Sequence, residues 1–159
     1  MKSAGNSDIG FLNSGAIRAD MNAGNLTLEQ LINIYPFKDN LTIIELSGQQ
    51  VRDLIEYSLT LPYGIGQVSG LSITYDSSKK MMKRLVDLKV NGETIIDAKK
   101  YTVAVSGYLA DGGDGFIVFT EGRVVNANLP FQDALYSQFK KAKNIKKLAI
   151  GRQTDISEK

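Results

Sequence analysis

Histidine and cysteine are both absent from this 159-residue chain. Their absence removes the usual nitrogen and sulfur ligands of catalytic zinc and iron, together with histidine-based triads and cysteine nucleophiles. Structural disulfides are excluded as well, although that leaves the cellular compartment open. Long hydrophobic runs are missing: no apolar stretch approaches the ~20 residues that span a bilayer, and the N-terminus lacks the apolar core of a signal peptide. Strong charge of either sign is missing too. A net charge of +2 is too small to argue for a nucleic-acid polymer as partner. The cluster Lys140, Lys141, Lys143, Lys146 and Lys147 reads as the solvated face of a helix.

What is present is a globular profile, 43% hydrophobic and 23% charged, at a length that supports one domain with its own core. The most informative stretch is Tyr108-Leu109-Ala110-Asp111-Gly112-Gly113-Asp114-Gly115. Glycines permit positive φ and close backbone approach, Tyr108 offers a flat face, and Asp114 offers a two-oxygen acceptor. Stacking on a base and holding ribose hydroxyls need those two items. A decorated turn between strands needs the same glycines, so the stretch alone does not separate a ligand loop from a turn. Asp111 and Asp114 lack the spacing of an EF-hand calcium loop.

The order of elements reads as α+β. Thr27-Leu28-Glu29-Gln30 has the form of a capping box, with Leu28, Leu31 and Ile32 following at helical spacing, so a helix is expected over 28–34. Pro36 disfavours helix at Tyr35, and Leu41–Leu46 is rich in β-formers. Ser47 and Gln50 repeat the capping signature ahead of a second helix with an apolar face at Val51, Leu54, Ile55, Ser58 and Leu59. From Gln67 onward, short alternating runs with Leu71, Ile73, Tyr75, Leu85, Leu88, Val90, Ile95 and Ile96, plus an Asn91-Gly92 turn signal, predict antiparallel sheet. Tyr101–Val105 predicts a strand feeding the glycine-rich stretch, and the apolar run Phe116–Phe119 leaves it. Phe131, Leu135, Phe139 and Ala142 mark a last amphipathic helix, and Leu148–Ile150 suggests a final strand before a polar tail over 151–159. The expectation is a single α+β domain over 8–150, with mostly antiparallel or mixed sheet and flanking helices.

Three separated segments carry a family resemblance: Asn13-Ser14-Gly15-Ala16-Ile17-Arg18, then Tyr35-Pro36-Phe37 followed by Leu41–Gly48, then Tyr108–Gly115. With Gln67–Leu71 and Val90-Asn91-Gly92 between them, in the same order and spacing, the chain resembles the C-terminal domain of the 5′-nucleotidase family. That resemblance implies the fold of this domain and a place in an exported, two-domain nucleotide hydrolase, located in the periplasm, at the cell surface or outside the cell. It implies that two divalent metal ions sit in an N-terminal metallophosphoesterase domain rich in His and Asp, which is the expected partner within the same polypeptide. The lack of histidine suggests that this metal-bearing domain lies outside the chain, and the resemblance implies that the family's helix ahead of Asp8 is missing as well.

Residue by residue, the resemblance suggests Phe37 and Tyr108 as two sides of an aromatic clamp on the base, Asp114 as the ribose ligand and Arg18 as a phosphate ligand. Asn13 would orient the phosphate or its loop. Lys38-Asp39 stands where the family commonly has Gly-Asn, whose Asn is expected to meet the base edge; an ionised Asp39 accepts but cannot donate, which leaves base preference open. Relatives acting on 5′-nucleotides, on 2′,3′-cyclic nucleotides or on nucleotide sugars share this architecture. The competing reading is a stand-alone nucleotide-binding or surface-interaction module that does no catalysis.

Overall fold

The computed structural model describes residues 1–159 except 22, 143, 146–149 and 158–159. A single-turn helix α1 (Lys2–Gly5) leads into strand β1 (Ile9–Leu12), and a 3₁₀ turn over Ser14–Ala16 follows. Helix α2 (Leu28–Ile34) begins at the expected capping box: Gln30 N–H donates to Thr27 Oγ1 at 3.2 Å, and the Gln30 side chain accepts from Thr27 N–H at 2.9 Å. Strand β2 (Asn40–Ser47) runs directly into α3 (Gly48–Ser58), whose start is fixed the same way by Ser47 and Gln50. After β3 (Gln67–Ser69) come β4 (Leu71–Tyr75), β5 (Leu85–Val90) and the short β6 (Glu93–Thr94). Asn91 and Gly92 both take positive φ, 51° and 90°, which is what a two-residue hairpin between β5 and β6 requires. Then follow β7 (Lys100–Ser106), a helical turn α4 (Gly107–Ala110), β8 (Arg123–Pro130), α5 (Phe131–Ala142) and β9 (Gln153–Asp155).

Two mixed sheets result. The first has order β3-β1-β7-β2-β8, and the second β6-β5-β4-β9. In the first, β1 and β7 pair in parallel, and Asp8 fixes that pairing by accepting the Thr102 N–H and hydroxyl, both at 2.8 Å. Both faces of β2 are covered, so its burial does not alternate, yet its side chains do: Ile44 and Leu46 enter the larger core with α3, Phe11, Val103 and the inner face of the second sheet, whereas Leu41 and Ile43 face the smaller core with Tyr35, Ala104, Phe131 and Ala134. Phe11, Phe116 and Phe119 are fully buried, with Phe11 edge-on to Phe116 at 5.1 Å between centroids. The segment leaving the glycine-rich stretch is thus anchored by burial.

Several sequence expectations change in the folded chain. Gln153–Asp155, placed in the polar tail by its composition, is a strand paired in parallel with β4. Polar side chains at its start add to the backbone pairing: Arg152, just ahead of the strand, donates Nη1 to Val68 C=O, and Gln153 donates Nε2 to Gly66 C=O, each at 2.7 Å. The expected strand at Leu148–Ile150 falls largely outside the described residues, and Ile150 is exposed. Strand β8 has no counterpart among the expectations, because an edge strand covered on one side only does not need the apolar alternation of a core strand. Ile96 is exposed and lies beyond β6, so of the Ile95-Ile96 pair only Ile95 enters the core. In α2, Leu31 is buried while Leu28 and Ile32 are exposed. Lys140 and Lys141 lie in the last turn of α5; Lys143, Lys146 and Lys147 lie outside the described residues.

Candidate functional site

The chain enters the site at four places, each fixed by local chemistry. The 3₁₀ turn after β1 presents Asn13, Ser14 and Arg18. The residues between α2 and β2 present Tyr35, Phe37 and Asp39, since Pro36 ends the helix and releases the chain towards the sheet. The segment after α3 presents Tyr63. The end of β7 presents Tyr108, because Ser106 caps α4 by accepting the Leu109 N–H and so turns the strand into a helical turn. The glycine-rich stretch therefore starts as a helical turn rather than as an open loop.

These places surround a cleft of about 630 Å³. All six residues singled out in the sequence, Asn13, Arg18, Phe37, Asp39, Tyr108 and Asp114, line it. Phe37 and Tyr108 are both exposed residues, at 37% and 53%. The Arg18 guanidinium lies over the Phe37 ring at 5.3 Å, and the Arg18 N–H is held by Ile34 C=O at 2.9 Å. Phe37 also meets Tyr35 edge-on at 5.3 Å, and Tyr35 stacks on Phe131 at 4.0 Å. A smaller, almost wholly apolar pocket of about 160 Å³ lies behind Tyr35, between α2 and α5; it lacks the convergent polar groups of the larger cleft.

Asp114 sits at the centre of a hydrogen-bonded cluster. Its Oδ1 accepts from the Tyr108 hydroxyl at 2.7 Å and its Oδ2 from Asn13 Nδ2 at 2.6 Å. The Asp114 N–H donates back to the Tyr108 hydroxyl oxygen at 3.0 Å, and its C=O accepts from the Tyr57 hydroxyl at 2.9 Å. Asp114 takes φ 53°, a left-handed conformation that Asp tolerates better than most residues. Gly113 lies against the Tyr108 ring, where a Cβ would come within 2.5 Å of ring carbons. The hydrogen bond to Asp114 raises the Tyr108 hydroxyl above its ordinary pKa. Asn13 is buried, and its Oδ1 has no hydrogen-bond partner among the described residues.

Asp39 is engaged from two sides: its Oδ1 accepts from the Tyr35 hydroxyl at 2.8 Å and its Oδ2 from the Tyr108 N–H at 3.4 Å. Burial first, and then that bond to Asp39, push the Tyr35 hydroxyl well above its usual pKa. Tyr63 is a cleft residue that sequence reasoning missed. It is exposed, its loop is held by the Ser14 hydroxyl against Tyr63 C=O and Gly64 C=O at 3.1 Å each, and desolvation, followed by the nearby Asp114 charge, raises its pKa. The signal available was an aromatic residue inside the Pro62-Tyr63-Gly64 turn. Tyr57 carried none, being one more amphipathic residue of α3. Among the described residues, no group of three or more Asp or Glu side chains is gathered to hold a metal ion, and the chain has no His or Cys to add.

A two-sheet α+β domain with this aromatic and carboxylate-lined cleft matches a known class over most of its length. Residues 1–121 match the family described as "5′-nucleotidase, C-terminal domain", and the chain belongs to that family. It is 31% identical over 130 residues to an apyrase of Tabanus yao, covering 72% of this chain and 24% of the apyrase. To the trifunctional nucleotide phosphoesterase protein YfkN of Bacillus subtilis it is 33% identical over 129 residues, covering 76% of this chain and 9% of that protein. Among solved structures, a 5′-nucleotidase precursor from Thermus thermophilus superposes with a TM-score of 0.90 at 26% identity, covering 99% of this chain and 33% of that one. The chain thus spans a third or less of the length of these relatives.

Proposed function

We propose that this chain is the substrate-holding part of a nucleotide phosphoester hydrolase: it binds the nucleoside portion of the substrate, and a separate domain of the same polypeptide performs the hydrolysis. The observation that carries this reading is the convergence of two exposed rings, Phe37 and Tyr108, and one carboxylate, Asp114, on a single cleft. The base stacks between the rings, an interaction of about 1–3 kcal/mol that tolerates different bases. Each Asp114 oxygen already accepts one hydrogen bond from the protein, and each retains a lone pair, so the carboxylate suits two neighbouring hydroxyl donors such as those of ribose. Arg18 supplies a guanidinium fork for phosphate oxygens, and Asn13 holds the Asp114 side chain in place.

The two divalent ions associated with this family belong, in this reading, to the other domain, where they would polarise the phosphate and activate water. The residues of this chain contribute position and orientation. The names of relatives, an apyrase and a nucleotide phosphoesterase, support a nucleotide substrate, and the family resemblance supports a location outside the cytoplasm.

Titration of adenosine and AMP into isotope-labelled protein tests the reading. Resonances of Phe37, Tyr108 and Gly112–Gly115 are expected to shift together, with weak affinity. Shifts confined to Lys140 and Lys141 would indicate nonspecific anion binding and overturn it.

A further inference from the structure

We infer that Asp39 is a positioning residue that sets the spacing of the two rings, rather than a reader of the base edge. This deepens the proposed nucleoside site and rests on that reading. Three bonds converge on Asp39, and they lead to both sides of the cleft. Its Oδ1 fixes the Tyr35 hydroxyl at 2.8 Å, and Tyr35 in turn stacks on Phe131 and meets Phe37 edge-on at 5.3 Å. Its backbone C=O accepts the Phe131 N–H at 3.0 Å, so the ring on which Tyr35 stacks is tied to the same residue. Its Oδ2 accepts the Tyr108 N–H at 3.4 Å, at the first turn of α4.

The Tyr108 ring is consequently held at both ends, its backbone by Asp39 and its hydroxyl by Asp114. A carboxylate accepts at both contacts at once, and its charge strengthens each bond. An amide at this position would meet the Tyr108 N–H with a neutral oxygen and turn its N–H₂ group to the Tyr35 hydroxyl, which would then have to accept instead of donate. A carboxylate at position 39 thereby has a physical reason in this chain: it meets the Tyr35 hydroxyl and the Tyr108 N–H together.

The variants Asp39→Asn and Tyr35→Phe, singly and together, separate the alternatives. In the ligand-free protein, Asp39→Asn is expected to shift the Tyr108 amide proton and to lower its hydrogen-exchange protection several-fold, whereas Tyr35→Phe should leave that amide nearly unchanged. In binding, Asp39→Asn should weaken adenosine, guanosine, cytidine and uridine by one common factor, about 3–10-fold, the size expected for one lost hydrogen bond. The double variant should be less impaired than the product of the single effects, since Tyr35 acts through Asp39.

A change in the ranking of the four nucleosides would show that Asp39 reads the base and would overturn the inference. An unmoved Tyr108 amide would overturn it as well, whatever the binding data. Should the wild-type chain bind no nucleoside, the proposed function fails, and the ligand-free amide measurement still decides whether Asp39 ties Tyr108 in place. Tyr35→Phe, which keeps the stacked ring, guards against the case in which Asp39→Asn does not fold.

Discussion

At the scale of single residues, the site depends on groups that act through their neighbours. Gly113 is the sharpest instance: with no side chain it lets the Tyr108 ring lie against the backbone, and a Cβ there would sit 2.5 Å from that ring. Gly113→Ala is therefore expected to displace Tyr108 and weaken nucleoside binding while leaving the thermal midpoint within a few degrees of the parent, since Tyr108 is exposed and its ring can swing into solvent at the cost of its hydroxyl bonds to Asp114. Calorimetric titration with adenosine beside a melting curve checks both halves. Tyr108→Ala removes the ring outright; in an enzyme that includes the catalytic domain it should lower kcat/KM for nucleotides about 5-fold to 150-fold, the equivalent of the ~1–3 kcal/mol of stacking. Asp114→Asn should impair ribonucleotides more than a small aryl phosphate, which has no ribose to hold. Equal losses on both substrates would mark the Asp114 cluster as a scaffold only.

Elements are held in register by caps and by a few polar clasps. Thr27 and Ser47 each accept an N–H at the start of a helix and close a full capping box with Gln30 and Gln50. Ser47→Ala should cost about 1 kcal/mol of stability, measured by denaturant unfolding, because the start of α3 has lost an acceptor for a helix donor. Strand β9 depends on Asp155, which accepts N–H bonds from Ser77 and Ser157. Hydrogen bonds from Ser77 first, and then from the Ser157 amide, hold this carboxyl well below the usual carboxylate range. A carboxyl whose folded value is depressed stabilises the fold above its unfolded value, about 3.9, and loses that contribution as pH falls through the folded value. Exchange protection of β9 amides should accordingly drop below about pH 4. Asp155→Asn should remove this acid step, with β9 already loosened at neutral pH.

For the whole molecule, the expectation is binding without turnover. Phosphate release from AMP or 2′,3′-cyclic AMP in the presence of Mn²⁺, Zn²⁺ or Mg²⁺ should not rise above the protein-free blank, since the chain lacks histidine and gathers no cluster of carboxylates for a metal ion among its described residues. Metal-dependent turnover that Asp111 or Asp114 substitution abolishes would contradict this.

Sequence by itself determined what is local or strongly periodic: the start of α2 and α3 through their capping boxes, the Asn91-Gly92 hairpin, the α+β class, and, through a family resemblance, six of the residues that line the cleft. Those features depend on neighbours a few positions apart or on ordered motifs, and both can be read along a chain. Tertiary structure alone decided the rest. Strands β8 and β9 are edge elements whose polar side chains find partners far away in sequence, so no hydrophobic alternation announces them. Tyr57 and Tyr63 reach the Asp114 cluster and the cleft from the end of α3 and the segment after it, through pairings that propensity does not encode. Asp39 shows the difference most clearly: its residue type was legible as a hydrogen-bond acceptor. That its two oxygens face Tyr35 and Tyr108, one on each side of the cleft, follows from how β2 and β7 pair side by side in the sheet.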